Sequence, residues 1–263
     1  MKSLLQFQDY LISNQELGEK MSRMYEQNRK SLNWFVGCKH DCVYCKPSFQ
    51  AQMKRQLHNC KTCYDFTPHT HLERLTKNPP KTNDGEFIFF PSSGDPAWAS
   101  DHQWSEAIEY MAKHIDTTFL VQSKDPVCFS IQSAIHNGFP DNVVLGTTLE
   151  SDLIYFVYRD CHGEFKTYMQ ISKAPEPYWR YANLLSLKHK RKFVTIEPIL
   201  QFGLLLPRII EEIDPEFVYI GYDNHNCKLP EPPLVKTKAL IEQLEAFTEV
   251  RQKTICKAWW EQK

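Results

Sequence analysis

No stretch of the 263-residue chain is apolar for long enough to cross a bilayer, which argues against a helical membrane protein. The opening residues, MKSLLQFQDYLISNQE, lack the apolar run of a secretory signal, so the reducing cytoplasm is the expected compartment. Charge of one sign is also missing: 31 Lys and Arg stand against 32 Asp and Glu, a net charge of −1. No overall basic field therefore draws the chain to nucleic acid or to a membrane surface. No internal repeat and no low-complexity segment interrupts it. With 42% hydrophobic and 24% charged residues, the composition is that of a globular protein. The length suits one domain, read as residues 1–263 with a core of about 30–225 and a C-terminal helical extension of about 226–263.

What is present is cysteine. There are nine, an odd number, and three of them fall within eight residues, which does not resemble a disulfide framework. In a reducing compartment, clustered cysteines more often hold metal than one another.

Short apolar, β-branched or aromatic runs at 33–36, 86–90, 118–121, 142–145, 193–196 and 217–220 read as strands. They do not alternate with period two, so both faces are expected to be buried. Helical stretches lie between them at 101–115, 127–137, 177–189, 204–213 and 234–250, with Asp101 as a candidate N-cap and Gly138 as a C-cap. Strand–helix alternation of this kind predicts a parallel sheet with right-handed crossovers, and six strands would make an open or partial barrel. Ligands bind such folds at the carboxyl ends of the strands. In this chain those ends carry GCKHDCVYC, PSSGDP, QSKDP, GTTLES, TIEP and GYDNH.

The first of these loops holds Cys38, Cys42 and Cys45 with the spacing C-x3-C-x2-C, and Tyr44 precedes the last cysteine. Thiolates are soft ligands for iron–sulfur clusters or zinc. Three from one loop cover one side of a cubane, which ordinarily takes four, and leave one iron open for a substrate.

This spacing resembles the signature of the radical S-adenosylmethionine superfamily. Within it the chain resembles the phage Gp37/Gp68-like family, whose function is unassigned. Further pieces occur in the family's order: FTPHTHLERL, PSSGDP, FLVQSKDP, GTTLES, SKAPEP, TIEPIL and VYIGYDNH. The resemblance implies an α/β fold, a partial (βα)6 TIM-like barrel of the radical S-adenosylmethionine type. It also implies a [4Fe–4S] cluster on Cys38, Cys42 and Cys45, with S-adenosylmethionine bound beside it. The cluster would cleave that cofactor to a 5′-deoxyadenosyl radical, which abstracts hydrogen from a substrate the sequence does not name. An electron donor such as flavodoxin or ferredoxin is implied as a partner. Tyr44 would lie near the adenine. Ser93, Gly94 and Asp95 occupy the loop where many relatives carry Gly-Gly-Glu against the cofactor's ammonium group. Lys124 would meet the cofactor carboxylate, and Glu150 or Glu197 its ribose or the substrate. These three are also the catalytic candidates.

Outside this set, Cys60-x2-Cys63 followed by His69-x-His71 is a zinc-like constellation of short spacing. Two free thiols are the expectation there. Cys128, Cys161, Cys227 and Cys256 are isolated and expected to be packing residues. The basic run Lys188-His189-Lys190-Arg191-Lys192 reads as a solvated helix end. Segment 155–173 reads as a hairpin around His162-Gly163 that covers the site as a lid. Trp259 and Trp260 are expected to pack. Two alternatives to the leading function stand. One is a nucleic-acid repair or modification enzyme similar in layout to the spore photoproduct lyase group, which the near-neutral charge disfavours. The other is a non-enzymatic iron–sulfur or zinc protein.

Overall fold

The structure is a computed structural model of the chain that describes residues 25–153, 157–159 and 165–262. The N-terminal segment, Cys161 and the His162-Gly163 turn lie outside the described residues. In chain order the strands are β1 (Asn28–Ser31), β2 (Phe35–Val36), β3 (His69–Thr70), β4 (Phe87–Phe89), β5 (Phe119–Gln122), β6 (Val143–Thr148), β7 (Val157–Arg159), β8 (Phe165–Thr167), β9 (Lys192–Ile196), β10 (Phe217–Ile220) and β11 (Glu249–Gln252). The longer helices are α1 (Asp101–Lys113), α2 (Val127–His136), α3 (Pro177–Ser186), α4 (Leu206–Ile213) and α5 (Leu234–Leu244). None is long and apolar enough to cross a membrane.

Seven strands form one sheet in the order β1-β4-β5-β6-β9-β10-β11, and every pairing in it is parallel. Four strand spacings separate β4 from β10, about 19 Å in a flat sheet at about 4.8 Å each. Yet the rings of Phe87 and Phe217 stack with centroids 6.3 Å apart. The sheet is therefore curled into a half-barrel. Tyr25, just ahead of β1, sits in its hollow against Phe89 and Tyr219, and Tyr219 donates to Gln27 Oε1 at 2.6 Å.

Residue parity assigns the faces. Phe87, Phe89, Leu120, Val144, Phe193 and Phe217 fill the concave side. Their neighbours Ile88, Val121, Val143, Val194 and Val218 pack outward with Trp104 and Met111 of α1, Leu184 of α3 and Ile210 of α4. With both faces buried, these strands carry apolar residues on both sides over most of their length, which is why they read as continuous runs rather than alternating ones.

The two edges depart from the expected layout. The first strand of the sheet is β1, NRKS, rather than 33–36; its polar side chains suit a half-exposed edge. Phe35 and Val36 pair antiparallel with Thr70 and His69 in a separate ribbon. At the other edge, α5 stops at Leu244 and β11 continues the sheet with the sequence EVRQ. Residues 245–250 are thus not helical, and the sheet has seven strands rather than six.

Smaller corrections follow. The N-cap of α1 is Ser100, in a reciprocal capping box with Gln103, rather than Asp101. Asn137, left-handed at φ 58°, closes α2 one residue before Gly138. The basic run is not a helix end, because α3 finishes at Ser186. Lys192 is buried in β9, His189 bonds the Val143 carbonyl at 2.7 Å, and Arg191 pairs with Glu216 at 2.6 Å. A hairpin does form across β7 and β8. Trp259 and Trp260 pack through their indole N–H groups onto the carbonyls of Leu229 and Glu231.

Beyond β2 the chain runs beside the end of β4, where Gly37 and Gly94 form a parallel bridge. Gly37 N–H donates to the Ser93 carbonyl, and Asp95 N–H to the Gly37 carbonyl, each at 3.1 Å. A Cβ at Gly94 would sit 2.9 Å from both the nitrogen and the oxygen of Gly37, closer than backbone permits. Gly94→Ala is therefore expected to lower stability by about 1–3 kcal/mol, read by urea unfolding. An unchanged midpoint would mean that the two loops need not touch.

Candidate functional site

The loop from Gly37 to Cys45 follows β2 and tightens into a 3-10 turn over Val43–Cys45. Cys42 is buried; Cys38 and Cys45 are half-buried. Two of the sulfurs have partners suited to a thiolate. The N–H of His40 donates to Cys38 Sγ at 3.4 Å. Cys42 Sγ shares a hydrogen bond with Ser172 Oγ at 3.1 Å and lies 3.7 Å from Lys124 Nζ. Burial, then Asp95 and the other two sulfurs, push the Cys38 thiol well up, despite the His40 N–H. Burial and Cys42 push Cys45 up to about 12, with Lys124 opposing. Cys42 thus lies near enough to disfavour ionisation of Cys38 and of Cys45, and a cationic centre among the three sulfurs would relieve that repulsion. A soft cation fits this donor set.

Above the loop is a buried charge network. Glu150, two residues beyond the end of β6, has no exposed surface. Arg180 of α3 pairs with Glu150 Oε2 at 2.8 Å, and Lys124 Nζ with Oε1 at 2.5 Å. Tyr44 Oη donates to Oε1 at 2.7 Å and also contacts Lys124. Tyr168 Oη reaches both carboxylate oxygens at 3.3 Å. Burial alone would raise the Glu150 pKa, but Arg180 and then Lys124 hold it at about 2. Lys124 is likewise held above the usual lysine range by Cys42 and Glu150, against its burial. Two cations face one carboxylate here, so the network carries surplus positive charge beside Cys42, a setting that suits a thiolate or an anionic ligand.

Asp95 has a different office. Ser123 Oγ donates to Oδ1 at 2.6 Å, the Ala97 N–H to Oδ1 at 3.0 Å, the Lys124 N–H to Oδ2 at 2.7 Å, and His40 Nε2 pairs with Oδ2 at 3.0 Å. Burial raises its pKa; His40, Ser123 and Lys124 together lower it further than burial raises it. Both oxygens are committed to the protein's own donors. Asp95 thus ties the loops after β2, β4 and β5 together. Ser93 stands beside it, accepting from Asn33 Nδ2 at 3.1 Å.

Glu197, at the end of β9, is not part of this network. It pairs with Lys253 beyond β11 at 2.6 Å and is partly exposed. Two residues before Glu150 and Glu197 respectively, Thr148 and Thr195 are paired across β6 and β9, and both accept from Gln122 Nε2, at 2.8 and 2.7 Å. Lys124 and Glu150 are brought together with Tyr44 and Cys42, then, while Glu197 shares their concave face at a different station.

The stretch after β8 leads to the site. Tyr168 and Ser172 supply contacts already described, and Lys173 N–H donates to the His40 carbonyl at 2.7 Å. Reading the sequence alone missed Arg180, although a signal exists. It falls with Pro177, Tyr181 and Leu184 on the buried stripe of α3, where a charge needs a buried partner. Tyr168 and Ser172 carry no comparable signal. No family model matches the chain, and no curated protein matches it.

Arg180→Leu leaves Glu150 buried with a weakened partner set and is expected to cost about 3–5 kcal/mol. Glu150→Gln tests the same network through pH. The folded carboxyl is held at about 2 against an ordinary 4.5, so its stabilisation is complete above pH 4.5 and lost as pH falls through about 2. The stability gap between wild type and Glu150→Gln should therefore narrow as pH is lowered from 5 towards 2 in urea titrations. A pH-independent gap would show that the charge contributes nothing.

Proposed function

We propose that this chain is a radical S-adenosylmethionine enzyme whose Cys38, Cys42 and Cys45 hold a [4Fe–4S] cluster with one iron open to the cofactor. The observation that carries this reading is the meeting of that three-thiol loop with a buried Lys–Glu–Arg network at the carboxyl ends of a curled parallel sheet. The same observation supports assigning the half-barrel to the partial (βα)6 type, with β11 as an added edge strand. When bound, the cluster supplies one electron to the sulfonium of S-adenosylmethionine.

The chain's own residues bind, orient and exclude water. Lys124 is placed for the carboxylate of the cofactor's amino acid end, because its ammonium already lies beside Cys42 within the network's surplus positive charge. Glu150, buried and held ionised by Arg180, acts as a positioning residue that fixes the Lys124 ammonium. Asp95 acts as a positioning residue: it grips the Lys124 backbone and His40, which lies between two of the three cysteines. Tyr44 and Tyr168 close over the carboxylate, and their bulk keeps water from the space where a radical must survive. The reading implies a reducing compartment and a small electron-transfer protein as donor.

Anaerobic reconstitution followed by reduction with S-adenosylmethionine should yield 5′-deoxyadenosine. Lys124→Met should retain iron and sulfide but weaken cofactor binding by about ten- to a hundred-fold, the equivalent of about 1.5–3 kcal/mol for a charge-assisted hydrogen bond. Glu197→Gln should have a smaller effect than Lys124→Met. Cysteine-to-alanine changes at 38, 42 or 45 should abolish iron loading. Cofactor turnover that survives loss of all three cysteines would refute the reading.

A further inference from the structure

A second set of ligand-type atoms converges outside this site, and it does not depend on the reading above. Cys60 caps the short helix Lys61–Tyr64, Cys63 lies on it, His69 is in β3, and His71 follows β3. Their four ligand atoms all lie within 4.8 Å of one another. His69 Nε2 is 3.5 Å from Cys60 Sγ and 3.3 Å from Cys63 Sγ; His71 Nε2 is 4.0 and 3.1 Å from the same sulfurs. The two Nε2 atoms are 3.0 Å apart. A tetrahedral zinc with bonds of about 2.3 Å to sulfur and about 2.05 Å to nitrogen sets S···N edges of about 3.5 Å and an N···N edge of about 3.3 Å. The four S···N distances scatter around the first value, and the N···N distance is close to the second.

The outer partners point the same way. His69 Nδ1 faces the Thr67 carbonyl at 2.7 Å, and His71 Nδ1 faces Glu73 Oε1 at 2.7 Å. Each acceptor requires a proton on Nδ1. With Nδ1 as donor, the two Nε2 atoms face each other and two sulfurs at the distances that a shared cation would bridge. Pairing of the distal ring nitrogen with a carbonyl and a carboxylate is also how metal-bound histidines are oriented. The Cys63 N–H donates to Cys60 Sγ at 3.3 Å, as a thiolate there would require.

We propose that Cys60, Cys63, His69 and His71 form a closed, structural zinc site. Its consequence lies in what it fastens. In the β2–β3 ribbon Val36 is paired with His69, and the His71 N–H bonds the Trp34 carbonyl at 2.6 Å. Gly37, at φ +94°, lies so close to Thr67 that a Cβ would be 2.4 Å from its carbonyl carbon. The zinc knuckle therefore braces the strand and the glycine that lead directly into Cys38. Four protein ligands leave no position for substrate, so the metal's role is to hold this ribbon.

The test is the metal content of the full chain and its response to cobalt(II). Protein purified in air should hold one zinc per chain, and the triple variant Cys38→Ala, Cys42→Ala, Cys45→Ala should keep it, whatever becomes of the cluster. Cys60→Ser with Cys63→Ser should lose it. Cobalt(II) added to metal-free wild-type protein should give the intense visible bands of a tetrahedral ion together with sulfur-to-metal charge transfer. His71→Cys should still bind one cobalt, with stronger charge transfer, which distinguishes ligation from misfolding in the serine variants. Wild-type protein without zinc, zinc lost with Cys38, Cys42 and Cys45, or a weak octahedral cobalt spectrum would each overturn the proposal.

Discussion

A carboxylate taken out of water must be paired, and in this molecule two such carboxylates draw the strand ends together. Glu150 is met by Arg180 from α3, Lys124 from beyond β5, and the hydroxyls of Tyr44 and Tyr168. Asp95 is met by His40, Ser123 and two backbone N–H groups. Neither can be satisfied by one loop alone. Burying them forces the cysteine loop, the β4 and β5 ends and the stretch after β8 into one arrangement, and the curl of the sheet brings those ends within reach of one another. The two cations gathered on Glu150 (Lys124 and Arg180) leave the charge positive around Cys42, while Asp95 supplies an internal acceptor for His40.

How far this was legible depended on burial. Runs such as Phe87–Phe89 and Phe217–Ile220 stand out because both of their faces are covered. The edge strands NRKS and EVRQ do not, because an edge half-open to water carries polar side chains and resembles a loop or a helix end. Lys124, Glu150 and Asp95 stand in loops that follow strands, and the family resemblance is what marked them. Apart from Ala97 in its own turn, the partners of Asp95 come from the loops after β2 and β5, which sequence spacing does not connect to it. Arg180 lay on a readable apolar stripe. The pairing of Glu197 with Lys253 depends on β11 and so was hidden along with that strand.

The two cysteine groups divide the chemistry by how open each is. Cys60, Cys63, His69 and His71 close on a single point with every outer nitrogen engaged, the arrangement of a site that holds a fold. Cys38, Cys42 and Cys45 come from one turn, so they can cover only one side of whatever they bind. Gly37 lies between the two groups, against Thr67 on one side and Gly94 on the other. On the two proposed readings together, a braced ribbon on one side of an open site would serve the precise placement of a reactive centre.

The central claim is an open iron at the three-cysteine loop, and Mössbauer spectroscopy tests it most directly. Protein reconstituted with iron-57 is measured with and without S-adenosylmethionine. The account predicts a four-iron cluster in which one iron changes its isomer shift and quadrupole splitting when the cofactor is added, while the other three do not. A spectrum indifferent to the cofactor, or iron that never assembles beyond a mononuclear species, would contradict it.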